Sequence, residues 1–237
     1  MTRNEHVTTR ERFDTEQVAS RYAQGKNMRV TSKNRREMQC IEAALADIPA
    51  DSRVLDLPTG TGRLLPMLLG RGYRVIAGDY SEHMLNEARR HCESVAPDAL
   101  AAEGRIEFRR LDVMQTGLPD NAVDVVICNR LLHHYPTSEL RRQALAELGR
   151  IASRRLIVSY FSNIALSAAR FHLKNRLLNR NPNDRIPIWP SVMAADVRAA
   201  GLEVQRALPV RFGFSPQTYL VLGRARVLGR AREPKEE

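Results

Sequence analysis

Between Arg53 and Phe161 the chain passes repeatedly from a short apolar run to a segment of helical spacing, and this alternation limits its fold more than any other feature. Arg53 to Leu57 reads RVLDL, closes on the turn residues PTGTG, and leads into LLPMLLGRG, with stop signals at Gly70 and Gly72. RVIAG follows as a second strand, SEHMLNEARRHCESV as a helix capped by Ser81, and RIEFRRLDV as a third strand. The run AVDVVICN is apolar on both faces, as a central parallel strand requires. A helix capped by Thr137 or Ser138 then runs through Leu148, and RRLIVSYF is a fifth strand. Strand and helix alternating in this way imply a parallel sheet with helices on both faces.

The flanks complete the expectation. EMQCIEAALADI, with Met38, Ile41, Ala44, Leu45 and Ile48 at helical spacing, reads as an amphipathic helix ending at Pro49. Towards the other end, SVMAADVRAAGL is a helix capped by Ser191 and closed by Gly201, and EVQRALPV and TYLVLGRA form a hairpin around RFGFSPQ. The fold class expected is α/β: a Rossmann-like, doubly wound sheet of seven strands, mostly parallel with a C-terminal antiparallel hairpin. With 237 residues, 43% of them hydrophobic, the chain can bury one good core, and no polar linker divides it. The organisation expected is a single domain over 1–237, with an N-terminal helical cap over 1–50 and a cofactor-binding core over 51–161. A basic insert or lid spans 162–190, and a C-terminal helix and hairpin span 191–228.

Composition bears on location and partners. The N-terminal residues are charged without an apolar leader run, and no stretch approaches 18 uncharged apolar residues, so a soluble, cytoplasmic protein is expected. Cys40, Cys92 and Cys128 are too few and too scattered for a disulfide framework or a zinc site; no metal is expected. Residues 1–149 carry 21 Lys and Arg against 21 Asp and Glu, so the net charge of +10 sits in residues 150–237, with 16 bases against 6 acids. That asymmetry suits an anionic partner, or is simply a solvated arginine-rich surface.

In a doubly wound sheet the ligand lies at the carboxyl ends of the strands, beside the first. Here that end is Asp56-Leu-Pro58-Thr-Gly60-Thr-Gly62, whose glycines allow positive φ and close approach of backbone to a ligand. Asp79 ends the second strand, 17 residues after Gly62, where an acid bonds ribose hydroxyls, and Asp112 ends the third, beside the place of an adenine amino group. A dinucleotide fingerprint needs a third glycine where this chain has Leu65. Asp56 would repel a pyrophosphate and attract a cation, such as the ammonium and sulfonium of S-adenosylmethionine.

Through VLDLPTGTGR, GDYSEHML, RRLDV and LPDNAVDVVICNRLLHH the chain resembles the class I S-adenosylmethionine-dependent methyltransferase superfamily, in particular its small-molecule branch, from about Val54 to Phe161. The resemblance implies that Asp56, Pro58, Gly60 and Gly62 surround the methionine portion of the cofactor, and that Asp79 holds the ribose. It implies further that Asp112 and Val113 face the adenine, that Tyr80 and Met84 pack on its ring, and that Asn129 lies beside the amino-acid end through its backbone. Pro58 stands where the family more often has glycine, which is compatible only with a position that is neither left-handed nor an N–H donor. Asn129-Arg-Leu-Leu replaces the Asn/Asp-Pro-Pro-aromatic run of enzymes that methylate exocyclic base amines, which disfavours a nucleic-acid amine as acceptor.

Methyl transfer is an in-line displacement, so positioning is the main requirement, and a hydroxyl acceptor also needs a base. His133 and His134, after the fourth strand, are the candidate bases; the alternative is that one packs under the sheet while the other shapes the loop. As neighbours in sequence they are expected to diverge, so a shared metal is not expected. Tyr22 either closes over the cofactor or packs its helix on the sheet. SNIALSAARFHLKNRLLNR is a basic amphipathic stretch carrying Arg170, Lys174, Arg176 and Arg180, read first as a lid and second as a contact with an anionic membrane. The function expected is methylation of a small or lipid-like, possibly anionic acceptor; an RNA methyltransferase and a non-catalytic S-adenosylmethionine-binding partner subunit remain the alternatives.

Overall fold

A computed structural model describes residues 14–25, 31–164 and 186–225. Most of the basic stretch, Arg170, Lys174, Arg176 and Arg180 included, lies outside the described residues. The first helices are α1 (Glu16–Gln24) and α2 (Ser32–Ala44). The core then runs β1 (Arg53–Asp56), α3 (Leu65–Gly70), β2 (Arg74–Asp79), α4 (Glu82–Val95), α5 (Pro97–Ala101), β3 (Ile106–Arg110) and β4 (Val123–Cys128). A 3₁₀ turn (Leu132–His134) precedes α6 (Ser138–Ile151), β5 (Ala152–Phe161), α7 (Pro190–Ala199), β6 (Leu202–Pro209) and β7 (Gln217–Arg224).

The described residues form one seven-stranded sheet in the order β3-β2-β1-β4-β5-β7-β6. β1 to β5 pair in parallel, while β7 is antiparallel to both β5 and β6, so the expected hairpin closes one edge. Alternate residues of each strand feed two apolar layers. Leu55, Val126 and Val158 pack with Leu145 and Val197 on one face, and Val54, Val125 and Ile157 with Ile41, Leu68 and Ala88 on the other. On the first face Arg141 and Asp196 tie α6 to α7 through a buried 2.8 Å ion pair. The chain winds from β1 outward to β3, then crosses to β4 on the other side of β1, which opens a cleft between the tips of β1 and β4.

Several local expectations are corrected. Helix α2 begins at Ser32, capped by the Thr31 hydroxyl, and ends at Ala44 rather than at Pro49. Its first turns bury Asn34 and Glu37, polar residues that an apolar period does not register. Ser191 is not a cap: Trp189 is the cap residue and Pro190 opens α7, a position where a missing N–H costs nothing. β3 stops at Arg110, and Asp112 lies beyond it in a turn where its Oδ1 accepts from the Met114 N–H at 3.0 Å.

Some arginines of the second half are paired within the fold. Arg150 pairs with Asp120 and Glu147, Arg154 with Asp124, and Arg155 with Asp47, so bases of the second half neutralise acids of the first. Among the described residues no helix is long and apolar enough to cross a membrane.

Gly62 adopts φ +79°, and a Cβ there would sit 3.1 Å from the Ala88 backbone of α4. Gly104 has a similar φ of +72° with open space around it. Gly62→Ala should therefore destabilise the protein by about 2–4 kcal/mol, and Gly104→Ala by about 1 kcal/mol, the cost of the left-handed backbone alone. Urea denaturation of the two variants measures the difference; equal losses would show that the contact with α4 is not what requires glycine.

Candidate active site

The cleft holds a cavity of about 570 Å³, within the ~300–1,000 Å³ common for ligand sites. Three groups of residues line it. Asp56, Leu57, Pro58, Thr59, Gly60, Thr61, Arg63 and Leu64 come from the tip of β1 and the glycine loop. Asp79, Tyr80, Ser81, Met84, Leu111, Asp112 and Val113 come from the tips of β2 and β3 and the start of α4. Asn129, Arg130, Leu131, His133, His134, Tyr135 and Phe161 come from beyond β4 and β5, with Tyr22, Thr31, Lys33 and Asn34 contributed by the cap.

The glycine loop is shaped by the two strand-end acids. Asp79, 7% exposed, accepts from the Gly60 N–H at 2.8 Å with Oδ2 and from the Ser81 N–H at 3.0 Å with Oδ1. This anchors the loop to the end of β2 while Ser81 caps α4. Asp56, 1% exposed, accepts from the Thr59 hydroxyl at 2.9 Å through Oδ2, whereas Oδ1 has no hydrogen-bond partner among the described residues. Burial pushes the Asp56 carboxyl up to about 7, against the pull of the Thr59 hydroxyl and the nearby Arg63 charge. Burial likewise raises Asp79 to about 6, although the Ser81, Gly60 and Tyr80 backbone N–H groups hold it lower than burial alone would. Gly60 has φ +56° and Pro58 follows a cis peptide bond from Leu57.

The far wall is fixed from the hairpin. Asn129 Oδ1 accepts from the Tyr219 hydroxyl at 2.9 Å and from Ser159 Oγ at 3.2 Å, and Ser159 Oγ in turn accepts from the Arg130 N–H at 2.8 Å. Burial raises the pKa of the Tyr219 phenol, which keeps it a donor. These bonds hold Arg130 at φ +58°, a left-handed backbone for a non-glycine residue. Arg130 then reaches Glu37 through Nε at 3.1 Å and Nη2 at 2.6 Å, and Asn34 Oδ1 at 3.0 Å, so α2 is bound to the loop after β4.

Of the residues singled out from sequence, the cavity gathers Asp56, Pro58, Gly60, Asp79, Tyr80, Met84, Asp112, Val113, Asn129, His133, His134 and Tyr22. Gly62 does not line it; the lack of a side chain there serves the close packing on Ala88. The two histidines do not diverge. Their rings lie 4.3 Å apart at a tilt of 41°, because the 3₁₀ turn that carries them sets both towards the cavity, and His133 stacks on Phe161 at 4.0 Å with planes 3° apart. Sequence reasoning missed Glu37, Arg63, Arg130 and Phe161. A glutamate at an inward position of an amphipathic helix was the available signal for Glu37.

The donor set suits a nucleoside with a cationic tail. Two buried acids and an apolar wall of Met84, Leu111 and Val113 stand where a dinucleotide site would present phosphate-binding amides, and the partnerless Asp56 Oδ1 faces a requirement for a donor.

Residues 54–154 match a family model described as a methyltransferase domain. The chain is 33% identical over 127 residues to the magnesium-protoporphyrin O-methyltransferase of Synechocystis, an alignment covering 52% of each protein. It is 28% identical over 172 residues to the demethylmenaquinone methyltransferase of Clavibacter sepedonicus, covering 64% of this chain and 66% of that protein. The chain thus spans about half to two thirds of the length of these curated relatives. Its fold is that of the crystal structure of magnesium protoporphyrin IX methyltransferase from Synechocystis with bound SAH, with TM-score 0.72, 22% identity, and coverage of 92% of this chain and 99% of that one. It is also that of Burkholderia thailandensis 1,6-didemethyltoxoflavin-N1-methyltransferase, with TM-score 0.67, 18% identity, and coverage of 95% and 91%.

Because Asp56 and Asp79 bind protons more tightly folded than unfolded, their contribution to stability is full below about pH 4 and declines as pH rises to about 7. Asp56→Asn removes one of the two groups. Between pH 5 and 7 the wild type should lose up to about 1.4 kcal/mol per pH unit more than this variant. Denaturant titrations across that range measure the gap; parallel curves would show that folding does not raise the Asp56 pKa.

Proposed function

We propose that this chain, whose residues 54–154 match a methyltransferase-domain model, is a class I methyltransferase that transfers the methyl group of S-adenosylmethionine to a small-molecule acceptor. The observation that carries this reading is the pair of buried carboxylates at the tips of β1 and β2, with Asp56 short of a donor. When bound, S-adenosylmethionine supplies a methyl group on a positively charged sulfur. Asp79 would accept from the ribose hydroxyls. Tyr80, Met84, Asp112 and Val113 would enclose the adenine, and Asp56, Gly60 and Asn129 would border the amino-acid end. The glycine loop, tied to Asp79, keeps this bed in place before any ligand arrives, so little ordering is left to binding.

The acceptor would enter between the cap and the loop after β4. There the His133 and Phe161 rings offer a flat apolar wall, Tyr135 and Leu131 continue it, and Lys33 and Arg130 add positive charge. This arrangement favours a planar acceptor, lipid-like or carrying an anionic group. Two of the relatives are named for magnesium-protoporphyrin and demethylmenaquinone. His133 and His134 border the same space, so either imidazole can take the proton of a hydroxyl acceptor as the bond to carbon forms.

Asp79→Ala should weaken SAH binding by about 1.5–3 kcal/mol, the scale for bonds to a charged group, as read by titration calorimetry. Unchanged affinity would contradict the ribose assignment. With an acceptor in hand, replacing the base histidine should lower kcat by about 100-fold or more while leaving SAH affinity within about threefold. If His133→Ala and His134→Ala both retain full kcat, the reaction uses no histidine base.

A further inference from the structure

Large apolar side chains exposed singly need no explanation, but several on one surface mark a contact. Phe212 is 83% exposed and Phe214 56%, and both stand on the turn between β6 and β7. The Val210 N–H donates to Gln217 O at 3.0 Å across the base of this turn, and the Phe214 and Ser215 N–H groups donate to Arg211 O at 3.1 and 2.9 Å. Gly213, at φ +72°, lets the chain reverse between the two phenylalanines. Such a turn closes through its backbone, so it does not need aromatic side chains to hold its shape.

The turn lies at the cavity's end of the sheet. β7 begins at Gln217, opposite Phe161 of the cavity wall, and the Ser162 N–H donates to Pro216 O at 2.6 Å. Trp189, the chain's single tryptophan and 56% exposed, stands at the same end, since Ile188 beside it pairs with Ser162. Between the turn and the start of α2 is a hollow of about 320 Å³, lined by Lys33, Arg36 and Arg211 with no acid among its residues. The first turn of α2 carries no acid either, so the positive end of the helix dipole adds to the three bases. Lys33 lines the main cavity as well, so the basic hollow borders the space assigned to the acceptor.

We propose that Phe212, Phe214 and Trp189, together with Arg36 and Arg211, form a docking face for an anionic lipid bilayer. The rings enter the interface and the arginines meet the headgroup phosphates. The combination selects the partner: bases alone would suit any polyanion and rings alone a second copy of the chain, whereas exposed rings beside an acid-free basic hollow match a surface that is anionic outside and apolar beneath. This face is built from described residues and does not draw on the basic stretch after β5. It rests on the methyltransferase reading only for its consequence, that a lipid-like acceptor reaches the cavity from the bilayer past Lys33.

The test mixes the whole chain, without cofactor or acceptor, with vesicles of phosphatidylcholine alone or of phosphatidylcholine with phosphatidylglycerol, and reads co-sedimentation and Trp189 fluorescence. The wild type should bind the anionic vesicles about tenfold or more tightly than the neutral ones, lose that binding as salt is raised, and shift its emission to the blue. Phe212→Ser with Phe214→Ser, and Arg36→Gln with Arg211→Gln, should each weaken binding by roughly tenfold or more. Neither pair belongs to the cofactor site, so SAH affinity and melting temperature should match the wild type. The proposal is overturned if the wild type ignores both vesicles or if both double variants bind as it does. A single-stranded RNA oligomer bound as tightly, and lost only with the arginines, would assign the face to nucleic acid instead; dimerisation lost with the phenylalanines would assign it to a second copy. Vesicle binding without SAH binding would sink the cofactor reading and leave the docking face standing.

Discussion

The bond from the Gly60 N–H to the buried Asp79 carboxylate joins the two halves of the cavity floor, and the rest of the site is built around it. It fixes the glycine loop of β1 to the tip of β2, and the same carboxylate accepts from the Ser81 N–H at the start of α4. Gly62 lets the loop lie directly on α4 at Ala88. Strand, loop and helix are thereby locked around one acid, and Asp56 is left beside them, buried and short of a donor. Two carboxylates taken out of water resist ionisation, which raises both pKa values, and a cationic ligand would favour their charged forms.

A second anchor faces the first. Glu37, fully buried in α2, gathers Arg63 from the glycine loop and Arg130 from beyond β4. Breaking such a cluster by removing one partner strands the remaining charges, so the cap is integral to the site. The hairpin contributes through Tyr219 and Asn129, which set the backbone of Arg130. Residues far apart in sequence therefore converge on the cleft at which the sheet reverses its winding. Individual arginines of the second half pair with acids of the first, as with Arg155 and Asp47, where the guanidinium holds the carboxyl down to about 2.

Backbone-level features were legible from sequence because they depend on local physics. Alternating periods marked the sheet, Ser81 and Thr137 marked two helix starts, and the left-handed Gly60 and Gly62 marked the loop. The strand-end acids could be placed because a strand's end sets where its last side chain goes. What escaped were contacts made between distant segments. Glu37 reads as one polar residue in a helix, and nothing local announces that two arginines, 26 and 93 residues away, close on it. Ser191 looked like a cap because it precedes an apolar helix, but Pro190 had already supplied the turn geometry. The histidines were expected to diverge as neighbours in sequence; a 3₁₀ turn brought them together.

A crystal structure with SAH tests the central claim most directly. The nucleoside should lie across the tips of β1, β2 and β3, with the ribose hydroxyls within hydrogen-bond distance of the Asp79 carboxylate and the adenine against Met84. Density for the ligand elsewhere, or a ribose turned away from Asp79, would contradict the account.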